Sequence, residues 1–432
     1  MRNPILIVLT LLWVVRCSMV SAQSSQYVSA TTGVSCEQLA HMALTRNSEL
    51  QAARESLHQA DARLRQVRLL PNPSLDVSRK TDAIFANEGD RGYSITVSEP
   101  VDLGGTRGNR VKVAETSVEV TKSEIAEAER QLIGRLRLLC SEAIGAAALG
   151  DLFERLDRAS DQMSGIMSIR VRAGDASQLD ARLLQAQTSQ LRAERLVAEN
   201  QLAGFLLQIR GVAGLSPDEP LLLRRTTQPV DLHETEDATI ARALEARPDL
   251  KAARLRETLA EAGIDLAKSQ MVPQVTAFAR YGQESVLSQL ATTAQKRTFQ
   301  RENVVEFGMS IPLPVFNREQ GNIAETTSRR AQARREREGL EASIRRDVLL
   351  AFRRYETARK SLDILQSGVL EQNQASTRIV QLAYDLGELR FLDIVNQQRV
   401  LIDAETSVVN AEQELSAARA DLDNAIGEAI VR

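Results

Sequence analysis

The chain has 432 residues, and its 26% charged and 43% hydrophobic residues exclude both a disordered tail and a multi-helix membrane protein. Its net charge of -3 gives no basic field for nucleic acid, so we expect no nucleic-acid partner. Aromatic residues are only 3% of the chain, whereas helix-forming residues dominate and Pro and Gly are few. This composition is typical of long helices.

Residues 1–22 are predicted to be a signal peptide. A short basic start precedes an apolar run from Ile5 to Val15, which is too short to span a bilayer. Small residues up to Ala22 then provide a cleavage site before Gln23. We therefore expect the chain to be exported, and lipidation of Cys17 is left open as an alternative. No later apolar run is long enough for a transmembrane helix.

No motif for catalysis, nucleotide binding or metal coordination is found in the sequence. The histidines lack helical i, i+4 partners, and Gly104-Gly105 lacks the spacing of a phosphate-binding loop. Cys36 and Cys140 lie far apart in the sequence and are expected to be free thiols, although export makes a bridge chemically feasible. We predict no enzymatic activity, no cofactor and no metal site.

An internal repeat is the strongest feature of the sequence. Residues that follow Ala43 match those that follow Ala243 at an offset of 200, and residues around Gly174 match those around Gly387 at an offset of 213. The matches keep one order and include prolines and glycines, which shared helical composition does not align. The predicted organisation is a signal peptide, a first repeat, a linker and a second repeat, at residues 1–22, 23–214, 215–234 and 235–432.

Each repeat is predicted to contain a helix, two strands, a long helix, a turn and a second long helix. In the first repeat these elements are expected at 37–70, 74–78, 93–98, 106–172 and 174–214. In the second repeat the strands, the long helix and the last helix are expected at 275–280, 305–311, 317–385 and 387–427. Helices of this length extend roughly 100 Å and are typical of coiled coils or helical tubes.

The predicted strands alternate between apolar and polar residues. Ile95 and Val97 share one face, and Val305 and Phe307 lie opposite Glu306. An apolar face opposite a charged face is typical of a barrel wall between lipid and water, although a soluble sheet packed on helices also alternates. A closed barrel needs about eight strands, so four strands per chain predict that several copies contribute to one barrel.

Three motifs flank the predicted strands. They are LPNPSL at Leu70–Leu75, EPVDLGGTRG at Glu99–Gly108 and IPLPVFNREQGNI at Ile311–Ile323. Together with the repeat, these motifs resemble the TolC-like outer-membrane efflux proteins. The second motif is similar to the passage from strand to helix in the heavy-metal branch of that family, the CzcC- and CusC-like proteins.

The resemblance implies a mainly α fold with a small β part. The two repeats would form long coiled-coil helices of a periplasmic α-barrel, and four strands per chain would join a shared trimeric 12-stranded outer-membrane β-barrel. It also implies location in the outer membrane of a Gram-negative bacterium, with extension into the periplasm. The implied partners are two further copies in a homotrimer, outer-membrane lipid, a periplasmic membrane-fusion adaptor and an inner-membrane RND pump.

The helix tips are the working end that this resemblance implies. The second tip would carry the constriction, where Asp393 matches a gate carboxylate and three copies would form a ring that attracts cations. Arg390 would tie the closed mouth to a neighbouring helix, and Asp180 is a third candidate gate residue. Charged residues near helix ends are also commonly solvated or capping residues. The residues expected to contact the adaptor are Gly174, Asp175, Gly387 and Glu388.

The function implied by the resemblance is a passive exit duct for heavy-metal cations. An adaptor would couple this duct to a proton-driven RND pump. A channel for multidrug efflux or for type I protein secretion is one alternative, and an exported coiled-coil scaffold without a pore is another. The four alternating strands at matched repeat positions weigh against the scaffold.

Overall fold

The structure is a computed structural model that describes residues 27–29, 32–81, 91–174, 176–225, 234–288 and 298–427. The predicted signal peptide and Asp175 lie outside these described residues. The chain divides into two compact units, each assembled from separate stretches of sequence. The first unit contains Met1–Ala52, Ala126–Arg247 and Ala342–Arg432, and the second contains Ala53–Ile125 and Pro248–Glu341.

The fold is mainly helical, as predicted. The helices are α1 (Cys36–Arg46), α2 (Ser48–Arg68), α3 (Thr106–Ala173), α4 (Gln178–Ala213), α5 (Glu236–Ala246), α6 (Pro248–Ser269), α7 (Gln320–Asp363), α8 (Glu371–Asp385) and α9 (Phe391–Ile426). The strands are β1 (Val28–Ser29), β2 (Ser74–Thr81), β3 (Arg91–Val101), β4 (Leu223–Arg224), β5 (Val275–Ser288) and β6 (Thr298–Ser310). β1 and β4 form a short parallel pair that the sequence did not predict.

The predicted long helices are confirmed. α3 is continuous over 68 residues. In the second repeat α7 and α8 are joined by a π-helical segment, Ile364–Leu370, which the sequence analysis missed. None of the helices in the described ranges combines the length and the apolar character needed to cross a membrane.

The opening helix of the first repeat is interrupted at Asn47, so the prediction of one helix over 37–70 is wrong. Asn47 has an extended backbone with φ -64° and ψ 122°. Its side-chain oxygen accepts a hydrogen bond from the Leu50 N–H at 2.9 Å and so caps α2. The second repeat is interrupted at the matching residue, Arg247, with φ -67° and ψ 125°, directly before Pro248.

The second unit contains a four-stranded antiparallel sheet with the strand order β2-β3-β5-β6. β2 and β3 lie close to their predicted ranges, whereas β5 continues beyond the predicted end at 280 and β6 begins before the predicted start at 305. Pro100 is the penultimate residue of β3, opposite Thr276, and Pro312 follows the end of β6. Proline cannot donate to the ladder of hydrogen bonds, so both prolines lie where pairing stops.

The passage from β3 into α3 is capped by one carboxylate. Asp102 accepts hydrogen bonds from the backbone N–H groups of Gly104 at 3.1 Å, Thr106 at 3.2 Å and Arg107. Burial acts to raise the pKa of Asp102, but these three donors outweigh it and hold the pKa below the ordinary value. The carboxylate therefore stays charged and stabilises the first turn of α3.

The geometry of this passage explains why both Gly104 and Gly105 are glycines. A Cβ atom at Gly104 would lie 2.7 Å from the carbonyl oxygen of Ser269, the last residue of α6. Gly105 has a φ of +69°, which other residues rarely adopt. Thr106 Oγ1 donates a hydrogen bond to the same Ser269 carbonyl at 3.3 Å. The linker is therefore held against the end of α6, and the predicted turn from strand into helix is confirmed.

In the first unit, each repeat has the same type of hydrogen bond between the junction of its opening helices and the end of its last helix. Asn47 Nδ2 donates a hydrogen bond to the Val212 carbonyl at 3.0 Å, and Arg247 Nη1 donates to the Ala425 carbonyl at 3.1 Å. The offsets of 200 and 213 residues relate the two donors and the two acceptors. In each repeat a side chain at this junction thus donates a hydrogen bond to a backbone carbonyl that the helix end leaves without a helical partner.

Replacing Asn47 with Ala is expected to lower the thermal midpoint of the detergent-solubilised protein. The change removes the cap of α2 and the donor to the Val212 carbonyl, and each loss costs about 1 kcal/mol or more. Circular dichroism during heating measures the shift. Asn200→Ala is the matched control, because Asn200 is exposed on α4. Equal midpoints for the two variants would contradict the capping role of Asn47.

Candidate functional site

One face of the sheet is apolar and exposed on all four strands. Residues opposite each other form two rows across it: Leu75, Val97, Ala279 and Phe307 in the first, and Val77, Ile95, Tyr281 and Val305 in the second. Val77 is 71% exposed and Phe307 is 79% exposed. Such a continuous apolar surface marks contact with another protein or with lipid.

The other face of the sheet is polar. One row across it consists of Asp76, Thr96, Arg280 and Glu306. Arg280 Nη1 lies 3.7 Å from the Glu306 carboxylate, and the hydroxyl groups of Ser78 and Ser94 hydrogen bond at 2.8 Å. The predicted division of the strands into an apolar face and a charged face is therefore present in the structure.

β2 and β6 are the edges of this sheet, and no further strand within the described ranges pairs with either of them. An edge strand carries a row of unpaired backbone N–H and C=O groups. Because each neighbouring pair is antiparallel, β2 and β6 run in opposite directions. The β6 edge of one copy can therefore pair with the β2 edge of another as antiparallel strands.

Both predicted helix tips turn at a glycine with positive φ, Gly174 at +87° and Gly387 at +78°. The space around both glycines is open, so the backbone conformation rather than crowding requires glycine. At the second tip the Gly387 N–H donates to the Tyr384 carbonyl at 2.9 Å, and the Glu388 N–H donates to the Ala383 carbonyl at 2.8 Å. This pair of bonds is a Schellman motif, and Glu388 is exposed beside it.

The candidate gate residues lie at the helix tips. Asp393 is exposed in the first turn of α9, and its carboxylate accepts a hydrogen bond from the Arg390 N–H at 2.9 Å. Asp393 is therefore a capping residue within one copy. The Arg390 side chain is exposed, and Asp180 is half-buried in the first turn of α4. Neither of these two side chains has a hydrogen-bond or ion-pair partner in the described part of the chain, which also holds no cluster of three or more metal-ligating side chains.

A contact that the sequence analysis missed joins the two helical hairpins near their tips. The first hairpin is α3 with α4, and the second is α7 and α8 with α9. Arg170 of α3 donates from Nη1 to the Tyr384 hydroxyl of α8 at 2.8 Å, and its guanidinium carbon lies 5.6 Å from the centre of that ring. The Tyr384 ring meets the Phe391 ring edge-on, with 6.2 Å between centroids. Phe391 belongs to a small buried cluster with Met167, Leu184 and Ile394. Both hairpins therefore share one core at this end.

Arg170→Ala is expected to increase amide hydrogen exchange in α8 and in the first turn of α9. The change removes the hydrogen bond and the cation–π contact that hold Tyr384. Mass spectrometry of peptides covering 380–395 measures the exchange. Arg172→Ala is the matched control, because among the described residues the exposed Arg172 bonds only to the Ser168 carbonyl of its own helix. Wild-type exchange in Arg170→Ala would contradict a role in holding the second tip.

Comparison with known proteins places this geometry in a family. The model of the outer membrane efflux protein family matches residues 39–215 and 239–428. The cobalt-zinc-cadmium resistance protein CzcC of Cupriavidus metallidurans is 23% identical over 387 residues, which cover 88% of this chain and 87% of that protein. The pyoverdine export outer membrane protein OpmQ of Pseudomonas aeruginosa is 24% identical over 414 residues, which cover 90% and 84%.

Solved structures show the same fold. The crystal structure of CusC superposes with a TM-score of 0.74 at 17% identity, over 95% of this chain and 97% of that chain. The predicted TolC-like fold with two repeats is therefore confirmed. The solved structures that share this fold include outer-membrane channels. The chain belongs to the outer membrane efflux protein family.

Proposed function

We propose that the chain is the outer-membrane duct of a tripartite efflux system that exports heavy-metal cations. Residues 1–22 direct export, three copies close a 12-stranded barrel in the outer membrane, and the long helices extend into the periplasm. A membrane-fusion adaptor connects the duct to an inner-membrane RND pump, whose proton flux supplies the energy. The apolar face of the sheet, between two edge strands of opposite direction, carries the proposal.

The sheet indicates why one copy is insufficient. In lipid every backbone N–H and C=O group needs a partner within the protein, so a membrane sheet must close on itself. Four strands are fewer than the eight or so of the smallest closed barrels. Pairing of β6 with β2 of the next copy can be repeated around a ring. Three copies of a four-stranded sheet then supply the twelve strands of the proposed barrel.

Val305→Arg is expected to reduce the amount of assembled protein in the outer membrane, whereas Val304→Arg is expected to leave it near the wild-type level. These neighbours in β6 lie on opposite faces: Val305 is opposite Tyr281 in an apolar row, and Val304 is opposite Gly282 on the polar face. Arg at a lipid-facing position costs roughly 2–4 kcal/mol near the bilayer centre. Membrane fractionation with immunoblotting measures assembly, and equal amounts of both variants would contradict a lipid-facing Val305.

The second helix tip is proposed to form the periplasmic gate. Three symmetric copies would bring three exposed Asp393 carboxylates into a ring, which attracts cations and repels anions. The Arg390 guanidinium is exposed and available to bond a neighbouring copy in the closed mouth. Asp180 is the corresponding candidate at the first tip. The turn residues at both tips, Gly174, Asp175, Gly387 and Glu388, are the proposed contacts with the adaptor.

Two substitutions separate capping by Asp393 from gating. Asp393→Asn retains a side-chain oxygen for the Arg390 N–H but removes the charge, whereas Asp393→Ala removes both. If a carboxylate ring controls entry, both variants change the resting conductance or the block by divalent cations of the reconstituted channel. Planar-bilayer recording measures both quantities. A wild-type response of Asp393→Asn, with a change only in Asp393→Ala, would show that Asp393 acts as a cap alone.

The proposed cargo rests on likeness to the heavy-metal branch. The motif at Glu99–Gly108 resembles that branch, and CzcC is a cobalt-zinc-cadmium resistance protein. An organic cargo is the second candidate, because OpmQ, a pyoverdine export protein, shows comparable identity over most of the chain.

Growth of a deletion strain on graded zinc, cadmium, cobalt, nickel, copper and silver tests the cargo. We expect sensitivity to one or a few of these metals, because loss of the duct blocks their exit. The intact gene should restore growth, and the Val305→Arg variant should restore it less well than Val304→Arg. Parallel plates carry dyes, antibiotics and siderophores. Sensitivity to these organic compounds alone would contradict the metal cargo and favour the second candidate.

A further inference from the structure

Cys36 and Cys140, which are distant in the sequence, meet in the core of the first unit. Cys36 is the first residue of α1, and Cys140 lies in the middle of α3. Cys140 is only 1% exposed, and the partly buried Cys36 packs against the same apolar cluster. The two side chains are close enough to interact, and both are free thiols in the structure.

The second repeat has an ion pair beside the matching positions. An offset of 200 residues relates Cys36 to Glu236, and the buried positions of α3 and α7 match at an offset of 212, which relates Cys140 to Phe352. Glu236 is the first residue of α5, as Cys36 is the first residue of α1. The Glu236 carboxylate lies 4.0 Å from Nε of Arg353 in α7. In both repeats the start of a short helix is therefore held to the long helix, by two thiols in one and by opposite charges in the other.

We propose that Cys36 and Cys140 form a disulfide bond in the exported protein, so that the first repeat has a covalent link where the second has an ion pair. This inference rests on the export that is part of the proposed function. The bacterial periplasm supports disulfides, whereas the cytosol keeps thiols reduced. Both cysteines belong to the first unit, and the bond joins α1 to α3 within it.

The oxidant is a thiol oxidase that carries a reactive disulfide. Cys36 is the more accessible sulfur; as a thiolate it attacks that disulfide, forms a mixed disulfide and releases one sulfur of the oxidant. The Cys140 sulfur then loses its proton and attacks the Cys36 sulfur, which releases the second sulfur of the oxidant. The two cysteines together lose two protons and two electrons, and the oxidant's disulfide becomes a dithiol.

The surroundings of Cys140 fit this order of events. The interaction with Cys36, together with burial, raises the pKa of the Cys140 thiol. Cys140 therefore stays protonated and unreactive until the neighbouring Cys36 sulfur has been activated as a mixed disulfide. The finished bond closes the long loop between residues 36 and 140, which restricts the unfolded chain. The oxidised protein is therefore expected to melt at a higher temperature than the reduced protein.

The test uses the full chain purified in detergent, reduced, and then treated with oxidised glutathione or a purified thiol oxidase. Alkylation in denaturant counts the remaining thiols, and peptide mapping without reductant locates the bond. We expect the loss of two thiols per chain and a linked peptide pair that contains Cys36 and Cys140. Mapping also separates this bond from any that involves Cys17. Cys36→Ser and Cys140→Ser should each abolish the linked pair.

Two thiols that stay alkylatable in the oxidised wild type, a lasting glutathione adduct on Cys36, or a bond between chains would each overturn the proposal. Thiol counts do not depend on cargo, so a deletion strain without metal sensitivity would reject the proposed cargo alone.

Discussion

The backbone groups along β2 and β6 set the constraint on which the proposed function depends. Within the described ranges each of these strands has a neighbour on one side only. Water can satisfy the free N–H and C=O groups in solution, but lipid cannot. The apolar rows that cross all four strands nevertheless suit contact with lipid. Pairing of the two edges between copies removes this conflict without any change in the sheet, because the edges run in opposite directions.

Short polar contacts fix the ends of several helices. Asp102 caps α3, and Gly104 leaves room for the linker to lie against the end of α6. In the first unit Asn47 and Arg247 join helix junctions to the ends of the last helices. Each of these contacts uses one side chain to satisfy backbone groups that a helix end leaves free. Long helices need few such points, because their interiors satisfy their own backbone.

Much of the fold was predictable because local chemistry determines it. The alternation of apolar and polar residues around Ile95 and Val305 predicted the two faces of the sheet. Glycines at 174 and 387 predicted the turns at the helix tips, and both residues adopt a positive φ in the structure. The interruption at Asn47 was missed because the apolar residues keep their helical spacing on both sides of it. Asn is nevertheless a preferred N-cap residue, and Ser48 and Glu49 follow it.

Contacts between distant helices could not be predicted in the same way. Arg170 with Tyr384, and Cys36 with Cys140, depend on how the helices are placed against each other, which a single sequence does not state. The repeat supplies part of this information. For the junctions at Asn47 and Arg247, the offsets of 200 and 213 relate the hydrogen bond in one repeat to that in the other.

The number of chains in one assembly tests the central claim most directly. Native mass spectrometry of the complex, extracted with detergent from outer membranes, gives this number without any assumption about cargo. We predict three copies, the number that the resemblance to TolC-like proteins implies, so that three four-stranded sheets supply twelve strands. A complex that contains a single copy, while still resident in the outer membrane, would contradict closure of the sheet by neighbouring chains.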